Sequence, residues 1–173
     1  MNAQLNLQSI AQPLTDWFLA NPRSYPWRQN TTPYHIWISE VMLQQTQVKT
    51  VIPYYNKWFK IFPNVQSLSN SDLETVLKLW EGLGYYSRAK NIYLSSKIVV
   101  EQFNNKIPNT YKKITSLPGI GIYIAGAILS IAYNNPIPAI DGNVKRVFSR
   151  IFEFNFLNTA DIKRLHQILS NIL

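Results

Sequence analysis

The sequence predicts an all-α protein, a compact orthogonal bundle of short helices. Three observations lead there. Apolar residues recur at helical spacing in one segment after another, with no sustained period-two alternation and no Asn-Gly hairpin. Pro, Gly and Asn interrupt these segments often, which keeps each helix short and argues against a coiled coil. Hydrophobic residues make up 46% of the 173 positions and charged residues only 15%, a balance that favours a packed core over disorder. The length suits one domain, or two lobes sharing one core.

The elements follow in order. Residues 34–46 read as a helix behind Pro33, with Ile36, Trp37, Ile38, Val41, Met42 and Leu43 apolar. Residues 47–61 read as a second helix, kinked or restarted near Pro53. Ser71-Asp72-Leu73-Glu74 has the form of a capping box, and Leu73, Val76, Leu77 and Trp80 form the stripe behind it. Gly82 and Gly84 end that helix. Tyr86 to Phe103 form the next, and Thr110 caps a short one that ends near Thr115. Residues 122–133 read as a helix rich in small residues. Asp141 caps a helix to Phe152, and Thr159 caps one to the C-terminus. Trp17, Trp58, Phe59, Phe62 and Trp80 stand at helical spacing and are expected in the core. His35 and His166 have no metal-ligand companion at i+4 and read as structural. The last stripe (Ile162, Leu165, Ile168, Leu169, Ile172) has no following element to cover it, which points to a truncated domain or a partner surface.

Seventeen Lys and Arg against nine Asp and Glu give a net charge of +8. A polyanionic partner follows, nucleic acid ahead of a membrane surface. No apolar run is long enough to span a bilayer, and residues 1–12 lack a basic region followed by an apolar core, so a soluble intracellular protein is expected. The absence of cysteine excludes disulfides, thiolate metal sites and a cysteine nucleophile.

Leu117-Pro118-Gly119-Ile120-Gly121 between two helices is a helix-hairpin-helix arrangement. Gly119 and Gly121 allow a tight turn with no side chain over the backbone. Successive N–H groups then face outward at a helix start, where the dipole favours an anion such as a DNA phosphate. That contact carries no sequence information. The carbonyls of Thr115, Leu117 and Ile120, across the turn, could hold a monovalent cation. Ala125-Gly126-Ala127 allows close helix packing.

Two carboxylates stand out. Glu40 has Ile36, Trp37, Leu43 and Gln44 as its helical neighbours, a mostly apolar setting that pushes a carboxyl pKa upward and suits a general acid. The plainer alternative is a half-exposed glutamate bonded to Gln44 or Gln45. Asp141, in Ile140-Asp141-Gly142-Asn143-Val144, reads as an N-cap. The same helix-start N–H groups favour its ionised form, so it can also face a developing cation. One neutral and one charged carboxyl is the division that glycosidic cleavage uses, because its transition state resembles an oxocarbenium ion.

At these residues the chain resembles the MutY-type adenine DNA glycosylases of the helix-hairpin-helix superfamily. The matching stretches are Pro26-Trp27-Arg28, Pro33-Tyr34, Trp37 through Thr46 with its Glu40-Val41-Met42-Leu43-Gln44-Gln45-Thr46 run, Gly82 through Ala89, the hairpin, and Asp141 through Val147. The resemblance implies a six-helix barrel with the hairpin over residues 21–135, and an incomplete second lobe from residues 1–20 and 136–173. It implies double-stranded DNA as partner, with adenine mispaired with 8-oxoguanine or guanine and flipped out of the stack. Glu40 would protonate the adenine, Asp141 would stabilise the sugar cation, and Asn143 would orient Asp141. Gln44, Gln45, Thr46, Tyr85 and Arg88 would belong to the DNA- and base-contacting loops, with Gly119 and Gly121 on the phosphate, and Arg28 would line the adenine pocket. A cytoplasmic, nucleoid-associated protein of bacterial type is expected.

Tyr123 stands where the similar endonuclease III-type enzymes carry a lysine that forms a Schiff base. A phenol cannot, so a monofunctional hydrolase is expected ahead of a glycosylase with lyase activity. Ile122 and Ile124 flank Tyr123 where the family has more polar or smaller residues. The family also has four cysteines holding a 4Fe-4S cluster and a further domain that reads 8-oxoguanine, and neither is in this sequence. Exposed apolar faces on the last helices, with low solubility or oligomerisation, would follow. A DNA-binding remnant without catalysis is the competing reading.

Overall fold

In a computed structural model, residues 8–152 and 159–171 are described, and among them every regular element is helical. The elements are α1 (Gln8–Ala20), α2 (Pro26–Gln29), α3 (Pro33–Leu43), α4 (Val48–Ile61), α5 (Val65–Ser69), α6 (Leu73–Trp80), α7 (Ser87–Phe103), α8 (Tyr111–Ile114), α9 (Ile122–Ala127), a π-helical turn (Ile128–Ala132), α10 (Gly142–Phe152) and α11 (Thr159–Ser170).

The α3 helix is the centre of the bundle. Tyr34, Ile36, Trp37, Ile38, Ser39, Val41 and Met42 are all buried, so its apolar character extends around the whole helix and every side must be covered. Helices α2, α4, α7 and α9 and the π turn pack around it, α5 and α6 close on α7, and α8 meets α9. The core runs from Trp27 to Leu129, with Tyr25 and Ile137 at its margins. Trp58 and Trp80 meet edge to face with ring centres 5.8 Å apart, and the Trp58 indole donates to the Tyr34 hydroxyl at 3.1 Å. That hydroxyl in turn donates to the Phe62 carbonyl at 3.3 Å, so a buried polar chain stays satisfied inside the apolar layer.

Several local expectations change. The α3 helix stops at Leu43 rather than 46, because Gln45 adopts a left-handed conformation (φ 57°). The α4 helix continues through Pro53 as one element. Asp72, not Ser71, caps α6, its carboxylate accepting from the Thr75 amide at 2.7 Å; the Ser71 hydroxyl instead donates to the Asp72 carbonyl. The helix expected over 122–133 begins as α9 and widens into the π turn. The α11 helix already includes Thr159. Trp17 is 56% exposed and does not join the core, while Trp58, Phe62 and Trp80 do and Phe59 packs at its edge. The reason is that α1 keeps all its described side chains at the surface. The α10 helix buries none either, and among the described side chains of α11 only Leu165 is buried.

Candidate active site

Three elements distant in sequence meet at one cleft of about 600 Å³. The α3 helix brings Glu40 and its exit brings Gln44 and Gln45; α9 brings Tyr123; the start of α10 brings Asp141 and Lys145. Leu43, Tyr85, Ser87, Arg88, Ile140 and Gly142 complete the wall. The Tyr123 hydroxyl donates to Glu40 Oε2 at 2.6 Å, a short hydrogen bond between a phenol and a carboxyl group.

Glu40 and Tyr123 perturb each other. Burial raises the Glu40 pKa above its ordinary value of 4.5; the Tyr123 hydrogen bond pulls it back, and the nearby charge of Asp141 pushes it up again. Burial also drives the Tyr123 phenol well above its ordinary range, and the Glu40 charge and hydrogen bond drive it further. Tyr123 therefore stays neutral and acts as a donor. Glu40 bonds to Tyr123 rather than to the glutamines next to it in sequence.

Asp141 caps α10 as expected, its Oδ1 accepting from the Val144 amide at 2.7 Å. Its other oxygen accepts from the Asn143 side-chain amide at 2.9 Å, and Arg146 donates to Asn143 Oδ1 at 3.4 Å, so the carboxylate is held at both oxygens. The segment before it is pinned by Gly126: a Cβ there would lie 2.6 Å from the Pro138 carbonyl oxygen. Within the small-residue run, Gly126 thus meets the chain that leads into Asp141, while Ala125 and Ala127 are buried where α9 packs on α3 and α8.

Arg28 lies elsewhere. It lines a second, mostly apolar cavity of about 820 Å³ with Phe18, Leu19, Trp27, Ile36 and Ile131, and its guanidinium lies over the rings of Phe18 (4.9 Å) and Tyr25 (5.5 Å). Glu40 lines this cavity as well as the cleft, so it stands between the two.

In the hairpin, the two glycines differ. Gly119 has φ +77°, and a Cβ there would meet Asn91 at 2.7 Å, so the turn itself requires glycine. Gly121 has open space where a Cβ would be, at the start of α9. The Ser95 hydroxyl ties the turn to α7 by donating to the Pro118 carbonyl at 2.8 Å. Of the three carbonyls considered for a cation, that of Leu117 accepts from the Ile120 amide at 3.1 Å. Beside Tyr123, Ile122 is 54% exposed and Ile124 is buried in the core.

Two residues expected among the DNA contacts turn inward. Arg88 is only 8% exposed, and both its terminal nitrogens donate to backbone carbonyls. The Thr46 hydroxyl accepts from Arg88 Nη2 at 3.3 Å and donates to the Gln44 carbonyl. Sequence reasoning gave Lys145 and Ser87 no role. The i+4 spacing from Asp141 to Lys145, one turn along the same face, was the available signal for the first. Nothing in the spacing brings Trp27, Ile36 and Ile131 to one cavity.

Among the described residues no group of three or more His, Cys, Asp and Glu could hold a metal. The four thiolates of an iron–sulfur cluster have no counterpart in this sequence, so these residues do not fit that cofactor. His35 stacks on Phe59 with ring centres 4.0 Å apart, and His166 contacts Ser170. No helix among the described residues is long and apolar enough to cross a membrane.

A profile of the HhH-GPD superfamily of base excision DNA repair proteins matches residues 38–167, which takes in the second half of α3 with Glu40, the hairpin and Asp141. The chain belongs to this superfamily. It is 49% identical over 162 residues to an adenine DNA glycosylase of Buchnera aphidicola subsp. Baizongia pistaciae, covering 93% of this chain and 46% of that protein. It is 43% identical over 147 residues to the adenine DNA glycosylase of Homo sapiens, covering 80% of this chain and 27% of the human protein. The chain therefore spans less than half the length of these relatives. Among solved structures, a thermostable thymine-DNA glycosylase superposes with a TM-score of 0.85 at 23% identity, covering 99% of this chain and 80% of that one. A trapped endonuclease III–DNA covalent intermediate superposes with a TM-score of 0.83 at 19% identity, covering 100% and 79%. These two likenesses establish the helical fold of the HhH-GPD superfamily member.

Proposed function

We propose that this HhH-GPD protein hydrolyses the N-glycosidic bond of adenine mispaired with 8-oxoguanine or guanine in double-stranded DNA, leaving an abasic site without cutting the strand. The observation that carries the reading is the Tyr123–Glu40 hydrogen bond beside Asp141 in one cleft. Glu40, raised by burial, donates a proton to the leaving base. Asp141, held by Asn143 and the α10 amide, faces the sugar as positive charge develops on it, and a water molecule then adds to the anomeric carbon and gives its proton to the Glu40 carboxylate. Because Glu40 borders both cavities, the extruded adenine occupies the apolar one beside Arg28 and Trp27, and its sugar remains in the cleft. Tyr123 supplies no amine, so no Schiff base forms on the sugar at that position.

The exposed Tyr85 and the Gln44–Gln45 turn are the groups that enter the duplex, and Gly121 is where a phosphate approaches the backbone. Any cation at the hairpin would be held by the Thr115, Leu117 and Ile120 carbonyls. Residues 21–135 are the barrel in this reading, with 1–20 and 136–173 as part of a second lobe. Bacterial origin agrees with the Buchnera relative; cytoplasmic placement with the nucleoid is part of the same proposal.

The test is single-turnover excision of adenine from an 8-oxoguanine-paired duplex by the chain as it stands. Glu40→Gln is expected to lower the rate by roughly two to four orders of magnitude. Excision by that variant at the normal rate rejects Glu40 as the acid. Borohydride trapping of abasic DNA on the chain, which requires an amine other than Tyr123, would favour a lyase instead. Salt-sensitive duplex binding with no excision would leave the chain as a DNA-binding remnant.

A further inference from the structure

We propose that Arg88 is the positioning residue of the cleft: one buried guanidinium fixes both the loop that leaves the Glu40 helix and the loop that carries Tyr85. Its enzymatic consequence rests on the base-excision reading above; the clamp itself does not.

Arg88 Nη1 donates to the carbonyls of Val41 (2.8 Å), Met42 (3.0 Å) and Gln44 (2.6 Å). Nη2 donates to the carbonyls of Leu83 (3.2 Å) and Gly84 (3.1 Å) and to the Thr46 hydroxyl (3.3 Å). The first set belongs to the exit of α3, and the carbonyls of the second to the exit of α6. The guanidinium also lies 5.2 Å from the Trp80 ring centre and 5.5 Å from that of Tyr85, so it joins these rings as well as the two backbones.

Both loops need such a tie. Gln45 (φ 57°) and Tyr85 (φ 48°) are left-handed non-glycine residues, a strained conformation that persists only where the surroundings hold it. The carbonyls of Val41, Met42 and Gln44 would accept from the amides of residues 45, 46 and 48 if α3 continued. Arg88 takes these acceptors from a residue 44 or more positions away, which satisfies the helix end as the chain turns off. Carbonyls at a helix C-terminus carry partial negative charge and suit a permanent cation. Only the planar fork of arginine reaches two backbones at once; a lysine ammonium presents its three donors from one point. The residues so held, Gln44, Gln45 and Tyr85, line the cleft, and Glu40 lies in the turn of α3 that Arg88 grips.

The experiment uses the full chain with Arg88→Lys and Arg88→Gln. In Arg88→Lys, amide hydrogen exchange is expected to accelerate at least about tenfold in residues 44–47 and in 82–86 together, with α7 and the middle of α3 unchanged. Single-turnover excision should fall about ten- to a hundredfold while affinity for duplex changes less than about threefold, a split between chemistry and binding. In Arg88→Gln the dependence of duplex affinity on salt should keep its slope. A slope reduced by about one unit would mark Arg88 as a phosphate contact and overturn the proposal. Acceleration in one loop only, or in neither, would overturn it too. Should both variants fail to fold, nitrogen-15 spectra of the unmodified protein decide: a clamped guanidinium gives separate, exchange-resistant Nη signals, and one averaged, rapidly exchanging signal rejects the clamp. If the unmodified chain excises nothing, the enzymatic reading fails while the exchange comparison still tests the clamp.

Discussion

The most consequential single residue is Glu40, and its behaviour with pH has a defined sign. Burial raises its folded-state pKa above 4.5, so the folded chain holds a proton that the unfolded chain has already released. Stability therefore declines as pH rises from the ordinary carboxylate value through the raised one, and the loss persists above it. Glu40→Gln should remove that segment of the curve, since the amide oxygen can still accept from Tyr123 while carrying no buried charge. With Glu40 as the acid proposed above, excision should show the same dependence: the wild-type rate should fall as pH rises through the raised value, and residual excision by Glu40→Gln should be flat there. Melting temperature and single-turnover rate measured from about pH 4 to pH 9 check both. A wild-type rate with no decline across that range would remove Glu40 from the acid role. The direction of this shift was legible in the sequence, because Ile36, Trp37 and Leu43 are neighbours at i−4, i−3 and i+3. The agent that pulls it back was not: Tyr123 lies 83 positions away, and no local pattern relates the two.

At the scale of elements, what local chemistry determines was readable and what a distant side chain determines was not. Asp141 caps α10 through its own oxygen, and Thr110 bounds α8 at its start, both within a turn of the residues concerned. The end of α3 is different in kind, since Gln44-Gln45-Thr46 is compatible with helix until Arg88 removes the carbonyls that would continue it. Gly126 shows the same dependence on a remote contact, and it supports a further prediction. Gly126→Ala should raise the intrinsic helix propensity of α9 by about 1 kcal/mol. Its methyl group would also strike the Pro138 backbone, and overpacking of that kind typically costs about 1–3 kcal/mol. The net effect should be a lower melting temperature. Displacement of residues 138–141 should move Asp141, so excision should fall more than duplex affinity does. Full activity together with a higher melting temperature would mean that the segment yields without consequence.

Over the whole molecule, the two carboxylates belong to parts of unequal stability. Glu40 lies on a helix buried on nearly every side, whereas Asp141 begins a helix that buries none of its side chains. The positive balance and all-helical class were evident from composition and periodicity, but the exposure of Trp17 was not: spacing shows that a helix has an apolar face, and says nothing of what covers it. The sparse burial of α1, α10 and α11 leads to an ordering of amide exchange. Core amides of α3 and α7 should open only with global unfolding, while those of α1, α10 and α11 should exchange through local opening at much lower free energy. The segment from Pro138 to Asp141 should be intermediate, because Gly126 anchors its start and buried Ile140 lies next to the carboxylate. Native-state exchange across a denaturant series reads these classes directly. Equal protection in α10 and α3 would mean that one cooperative unit holds both carboxylates; the expected inequality means that Asp141 is the partner whose position is more easily lost, so destabilising α10 should lower excision before the core melts.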